Sequence, residues 1–223
     1  MGESGSAALS YRLAGRDAQR QLILDAASRV LESEGPDALT MRRLASEVGA
    51  STSVLYTMFG GKNGVAEALW LEGFARLQAA LDAVDDEDPL GRLAAMGQAY
   101  RANALTNHAY YSVMLARPIP GFQPSDAAYA KSLRPLQTLS DAVADCIDAG
   151  VLREADAGHV ARVLWAAAHG AVSLELAGYE GAIDPEECFN DLVAAAAAWF
   201  FPSPRPARRT RRASKRDVGS RTR

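Results

Sequence analysis

Residues 39–62 read LTMRRLASEVGASTSVLYTMFGGK. Thr40 is a residue type that caps helix N-termini, and Leu44, Ala45 and Val48 behind it share one face of a helix over 41–48. Gly49 supplies a turn. Ser51 then caps a second short helix running to Phe59, with Leu55, Met58 and Phe59 turned inward. Gly60-Gly61 breaks the chain, and Lys62 opens a longer helix to about Ala83. Two short helices joined by a glycine turn make a helix-turn-helix, whose second helix can enter a DNA major groove. Anchoring that helix through Leu55, Met58 and Phe59 leaves Thr52, Ser53, Tyr56 and Thr57 outward, as hydrogen-bonding groups suited to base edges and phosphates. The helix starts at Thr40, Ser51 and Lys62 offer free backbone N–H groups as phosphate seats, and Lys62 adds a charge beside the third. A helical hairpin serving only as core would not gather five polar residues on one outward face.

Working outward, apolar residues at Ile23, Ala26, Ala27, Val30 and Leu31 trace the stripe of an amphipathic helix from Arg16 to Glu34, closed by Gly35-Pro36. Residues 1–15 are small and polar and are expected to be disordered. With this upstream helix, the segment resembles the DNA-binding domain of the TetR family over about residues 16–66. Thr40, Leu44-Ala45, Val48-Gly49-Ala50-Ser51, Leu55-Tyr56, Phe59 and Lys62 stand where that pattern has them. The resemblance implies phosphate contacts from Thr40, Ser51, Tyr56 and Lys62, with Thr52, Ser53 and Thr57 nearest the bases. Of Arg42 and Arg43, one is expected at phosphate and the other in solvent. Ser53 replaces a frequent Gly, Met58 a frequent His or Tyr, and Gly61-Lys62-Asn63 a frequent Ser-Lys-Glu. The first two departures leave the operator sequence open.

Beyond the acidic loop Asp85–Asp88, the chain reads as helices over 90–106, 108–116, 125–149, 156–178 and 185–201. Pro135 requires a kink in the third of these, or two helices end to end. No strand-like alternation occurs, so the fold is all-α with about nine helices: an N-terminal three-helix DNA-binding domain over 16–66 and a helical ligand-binding and dimerisation domain over 67–202. Within the latter, Trp165-Ala-Ala-Ala-His169-Gly170 is similar to the Trp…His-Gly motif of one TetR C-terminal subfamily, common in actinobacterial regulators. Val163–Tyr179 is apolar nearly all round, and the final helix carries the small-residue run Ala194–Ala198. These last two helices are expected to form a C2 homodimer interface, which implies a palindromic double-stranded DNA operator. Candidates for a pocket that binds an unknown small-molecule effector are Tyr100, Tyr110, Tyr111, Phe122, Trp165, His169 and Glu175. Each aromatic among them, taken alone, is more often core than pocket.

Charge divides the chain. Residues 1–62 carry seven basic and seven acidic residues, residues 63–202 eight and nineteen, and residues 203–223 nine and one. An acidic body is repelled by DNA, so DNA contact falls to the ends. The tail 203–223 is too poor in apolar residues to fold and is expected to be disordered, either adding nonspecific phosphate contacts or standing free in solvent. His108, His159 and His169 have no metal-ligand spacing, and no catalytic triad or phosphate loop accompanies them. Neither an enzyme nor a metal or other cofactor is therefore expected. Cys146 and Cys188 read as free thiols in a reducing cytoplasm, and no apolar run reaches the length of a membrane span. The combined expectation is a cytoplasmic, ligand-responsive repressor.

Overall fold

The computed structural model describes residues 3–116, 119–179 and 184–202, with side chains from Gly15 onward. Residues 1–2, 117–118, 180–183 and the basic tail 203–223, including the readings made for them, lie outside the described residues. The elements are α1 (Glu3–Glu34), a 3-10 turn (Pro36–Ala38), α2 (Met41–Val48), α3 (Thr52–Phe59), α4 (Lys62–Asp82) and α5 (Pro89–Thr106). There follow α6 (His108–Leu115), α7 (Asp126–Ser132), α8 (Arg134–Asp148), α9 (Ala157–Leu176) and α10 (Pro185–Ala198). Every regular element among the described residues is helical.

Local chemistry places most boundaries. Thr40 Oγ1 accepts from the Arg43 amide at 3.1 Å, and Ser51 Oγ accepts from the Val54 amide at 3.4 Å. Asp88, Ser125 and Asp184 cap α5, α7 and α10 in the same way. Pro89 and Pro185 occupy the first turns of α5 and α10, where a missing N–H costs nothing. Pro135 does the same for α8, which resolves the 125–149 segment into two helices meeting at Leu133.

Two expectations are corrected. Residues 3–14, read as part of a disordered extension, belong to α1. The segment contains no proline and holds three Ala and two Leu, residues of high helix propensity, which favours extension of the helix through it. The last helix ends at Ala198, and Trp199–Phe201 turn back so that the Phe200 carbonyl accepts from the Arg153 amide at 2.8 Å.

The helix α4 organises the molecule. Its first turns carry Val65, Ala66 and Leu69, which are buried with Leu24, Leu44 and Leu55 in the head. Its later turns pack on α5, α6, α7 and α8 in the body. The other body helices stack in the order α5, α8, α9 and α10, with α9 against both α8 and α10. Both cysteines are free thiols, and Cys146 is buried with its Sγ donating to the Pro89 carbonyl at 3.2 Å.

Candidate functional site

The helices α2 and α3 are joined through Gly49, whose φ of 67° lies in the left-handed region that glycine adopts without strain. Leu55 is fully buried and Phe59 nearly so, which fixes the rotation of α3. Thr52, Ser53, Tyr56 and Thr57 consequently share an exposed face, and Tyr56 is 54% exposed. Val54, which the sequence did not single out, is also exposed on this helix. Thr57 Oγ1 donates to the Ser53 carbonyl at 2.9 Å, so its hydroxyl is held along the helix while its acceptor lone pairs face out. Thr40 and Ser51 are exposed at their caps, and α4 begins after Gly61 with no side-chain cap, leaving its first N–H groups open.

The three basic candidates separate. Arg42 is exposed and makes no ion pair among the described residues. Arg43 is clamped: Nη2 meets Glu34 Oε1 and Nη1 meets Glu47 Oε2, each at 2.7 Å. The hydrogen bond from Arg43 holds the Glu34 carboxyl below the usual carboxylate range. The expectation of one arginine at phosphate and one in solvent is corrected to one free and one paired, because α2 faces the end of α1. Lys62 donates to the Pro36 carbonyl at 3.3 Å, tying the start of α4 to the turn before α2 and leaving two ammonium donors.

Head and body meet at a polar cluster. Arg76 on α4 donates to Asp25 on α1 at 2.8 Å and to Asn107 at 2.9 Å. Tyr110 on α6 donates to the same Asp25 oxygen at 2.9 Å, with the Arg76 guanidinium 4.2 Å from its ring centre. Nearby, the Trp70 indole N–H donates to the Met114 carbonyl at 3.2 Å. Gly73 lets the Met114 side chain lie against the α4 backbone, since a Cβ there would be 2.5 Å from Sδ.

Between α4, α5 and α8–α10 lies a cavity of about 800 Å³. Trp70, Phe74, Met96, Leu136, Leu164 and Phe189 form much of its wall. Of the seven sequence candidates for a pocket, only Tyr100 and Trp165 reach it. Tyr111 and His169 stand behind that wall, hydrogen-bonded to each other at 2.7 Å, with Trp165 stacked on the imidazole at 5.8 Å between ring centres. Burial lowers the His169 pKa and raises that of Tyr100. Tyr110 belongs to the head–body cluster, and Phe122 is core. Glu175 is paired with Arg101 by contacts of 2.7 and 2.9 Å. These five side chains are redirected because burial with a polar partner or in the core satisfies them better than an open wall. The apolar wall residues were missed because their helical stripes look like any core stripe.

A family model described as bacterial regulatory proteins, tetR family, matches residues 23–69, and one described as tetracyclin repressor-like, C-terminal domain, matches residues 93–196. The chain belongs to the TetR family. It is a DNA-binding transcriptional regulator and not an enzyme, and TetR regulators bind DNA operators and are typically dimeric. The HTH-type transcriptional regulator Rv1816 of Mycobacterium tuberculosis is 25% identical over 211 residues, covering 78% of this chain and 90% of that one. A second M. tuberculosis HTH-type regulator, Rv0681, is 27% identical over 185 residues, covering 80% of each chain. Among solved structures, a Rhodococcus sp. RHA1 protein of unknown function superposes with a TM-score of 0.73 at 25% identity, over 82% of this chain and 95% of that one. PfmR, a TetR family regulator from Thermus thermophilus, shares the fold with a TM-score of 0.64 at 22% identity, over 78% of this chain and 96% of that one. Among the described residues, no helix of this TetR protein is long and apolar enough to cross a membrane.

Proposed function

We propose that this TetR protein is a ligand-responsive repressor that a small-molecule effector releases from a palindromic operator. One observation carries the reading: α4 is at once a wall of the 800 Å³ cavity, through Trp70, Phe74, Leu77 and Leu81, and the scaffold of the DNA-binding head. An occupant that shifts α4 alters the pose of α3, and with it the spacing of two recognition helices across a dimer. That spacing must match half-sites roughly 34–36 Å apart, or a multiple of that. Thr40, Ser51, Tyr56 and Lys62 serve phosphates, Thr52, Ser53 and Thr57 serve bases, and Arg42 adds a screening-sensitive contact.

The homodimer forms through α9 and α10 in this reading. Leu174, Leu192 and Trp199 are 54%, 41% and 75% exposed, an apolar display that a second copy would cover. The protein then acts in the cytoplasm, where its operator is.

The test is fluorescence polarisation with the DNA upstream of the protein's own gene, beside an unrelated duplex. Binding about 10³-fold tighter to the first, lost in Tyr56→Ala, supports the operator assignment. In vitro transcription from that fragment should fall as protein is added. Absence of binding to that DNA and to a random-sequence pool overturns the assignment of α3, and raised transcription overturns repression.

A further inference from the structure

Among the described residues, the cavity has one charged wall residue, Arg162. Its guanidinium donates to the Gly158 carbonyl at 3.1 Å and has no carboxylate partner among the described residues. The body around it has nineteen acidic residues over 63–202, and Arg76, Arg92, Arg101 and Arg134 each have an acidic partner there, whereas Arg153, stacked on Trp199 and Phe200, and Lys131 have none among the described residues. Arg162 is thus an exposed cation without an anion, at the edge of an apolar cavity.

Helix geometry gives the cavity an axis. The α4 wall residues run from Trp70 to Leu81, a span of about 16 Å at ~1.5 Å per residue. At one end lie Trp70, Met96, Tyr100 and Met114, all buried, with Tyr100 touching the Tyr111–His169 pair. Arg162 precedes His169 by two turns of α9, about 10 Å toward the other end. There the His159 ring meets Phe200, and the wall residues Leu90, Leu133 and Phe201 are 37%, 45% and 38% exposed. Arg162 therefore lies at a mouth of the cavity and Trp70 at its closed end, while the wall residues Tyr129 and Trp165, 51% and 36% exposed, leave further openings along its side. Asp82, near the end of α4, is held by Gln78 at 2.6 Å and Arg134 at 3.8 Å, so it does not answer the charge of Arg162 on the cavity wall.

Building on the ligand-sensing reading above, we infer that the effector is a single-tailed monoanionic amphiphile, its carboxylate at Arg162 and its apolar tail laid along α4 toward Trp70. A charge sunk to the closed end would meet no ionised partner and be heavily penalised, whereas at the mouth it keeps solvent and gains a guanidinium fork. A cation is repelled there, and a wholly apolar molecule makes no use of Arg162. An extended chain of about a dozen carbons matches the ~16 Å axis, within the volume range of ordinary ligand sites.

The test uses the full-length protein with straight-chain alkanoic acids of about eight to about sixteen carbons and the alkanols of equal length, below their aggregation limits. Affinity is read by displacement of a fluorescent apolar dye and by the shift in Tm, with operator polarisation recorded in parallel. Affinity should tighten about four-fold per added methylene until the axis is filled. Each acid should bind about five-fold or more tighter than its alkanol, and Arg162→Gln should erase that margin while leaving alkanol affinity unchanged. Equal acid and alkanol affinity, an indifferent Arg162→Gln, or no binding of any acid overturns the inference. If alkanols release the operator as well as acids do, the ligand-sensing reading stands and the anionic head falls. If acids bind through Arg162 and never alter operator binding, the ligand chemistry stands and the ligand-responsive reading falls.

Discussion

Gly64→Ala should uncouple the recognition helix from its scaffold. Gly64 lies in the first turn of α4, where an added methyl would sit 1.6 Å from the Phe59 carbonyl oxygen and 2.8 Å from its carbon. Non-bonded carbon and oxygen approach no closer than about 3.3 Å, so α3 and α4 must separate by roughly 1.7 Å. The obstacle is backbone at the end of α3 and cannot rotate aside as a side chain would. Overpacking costs about 1–3 kcal/mol, and this site belongs at the upper end, offset by up to ~1 kcal/mol of helix propensity gained over glycine. The net loss is about 2 kcal/mol, which for a chain of this size lowers Tm by roughly 4–8 °C. A displacement above about 1 Å at α3 also breaks hydrogen bonds to base edges, so operator affinity should fall at least about ten-fold. Thermal unfolding by circular dichroism and operator polarisation read the two effects, and hydrogen exchange over Thr52–Phe59 locates them. Gly97→Ala is the control: its methyl would lie 4.0 Å from Phe189 Cζ, an ordinary contact, so it should stabilise by up to ~1 kcal/mol and leave DNA binding intact. A Gly64→Ala protein with parental Tm and affinity would refute the steric reasoning.

Arg42→Ala should weaken operator binding and reduce the salt dependence by about one unit of slope, whereas Arg43→Ala should leave the slope unchanged because Glu34 and Glu47 already hold that guanidinium; equal slopes would contradict the pairing. Glu175→Gln should lower stability by about 2 kcal/mol in denaturant titrations, since Arg101 and Glu175 are only 14% and 12% exposed and the loss leaves Arg101 with Glu186 alone; an unchanged midpoint would mean the pair contributes nothing net. Burial holds the His169 pKa below its unfolded value, so the neutral imidazole's contribution is complete above about pH 6.5 and declines as pH falls through the unfolded pKa toward the folded one. Tm measured between about pH 5 and pH 7 should therefore slope less in His169→Asn than in the parent, and parallel curves would place the imidazole in solvent.

Much of the head was legible because its determinants act within four residues. Thr40 and Ser51 cap the helices their positions indicated, Gly49 takes the left-handed turn, and Leu55 and Phe59 face inward as their spacing required. A helix repeats every 3.6 residues and closes its own hydrogen bonds, so a dozen residues decide cap, turn and outward face. The same locality explains why Pro135 announced a break before the structure chose two helices over a kink.

What the tertiary structure decided is which side chains meet across distant segments. Arg42 and Arg43 are adjacent and alike in sequence, yet only Arg43 reaches Glu34 on α1. Tyr100, Tyr110 and Tyr111 are equivalent as aromatic residues, yet one lines the cavity, one joins Asp25 and Arg76, and one pairs with His169. Arg162 looks like any solvated arginine until α4, α5, α8 and α10 converge beside it. A cavity is the space left between helices, and its walls depend on their separations and rotations. Those are set by the mutual packing of side chains far apart in the chain, which no local periodicity encodes.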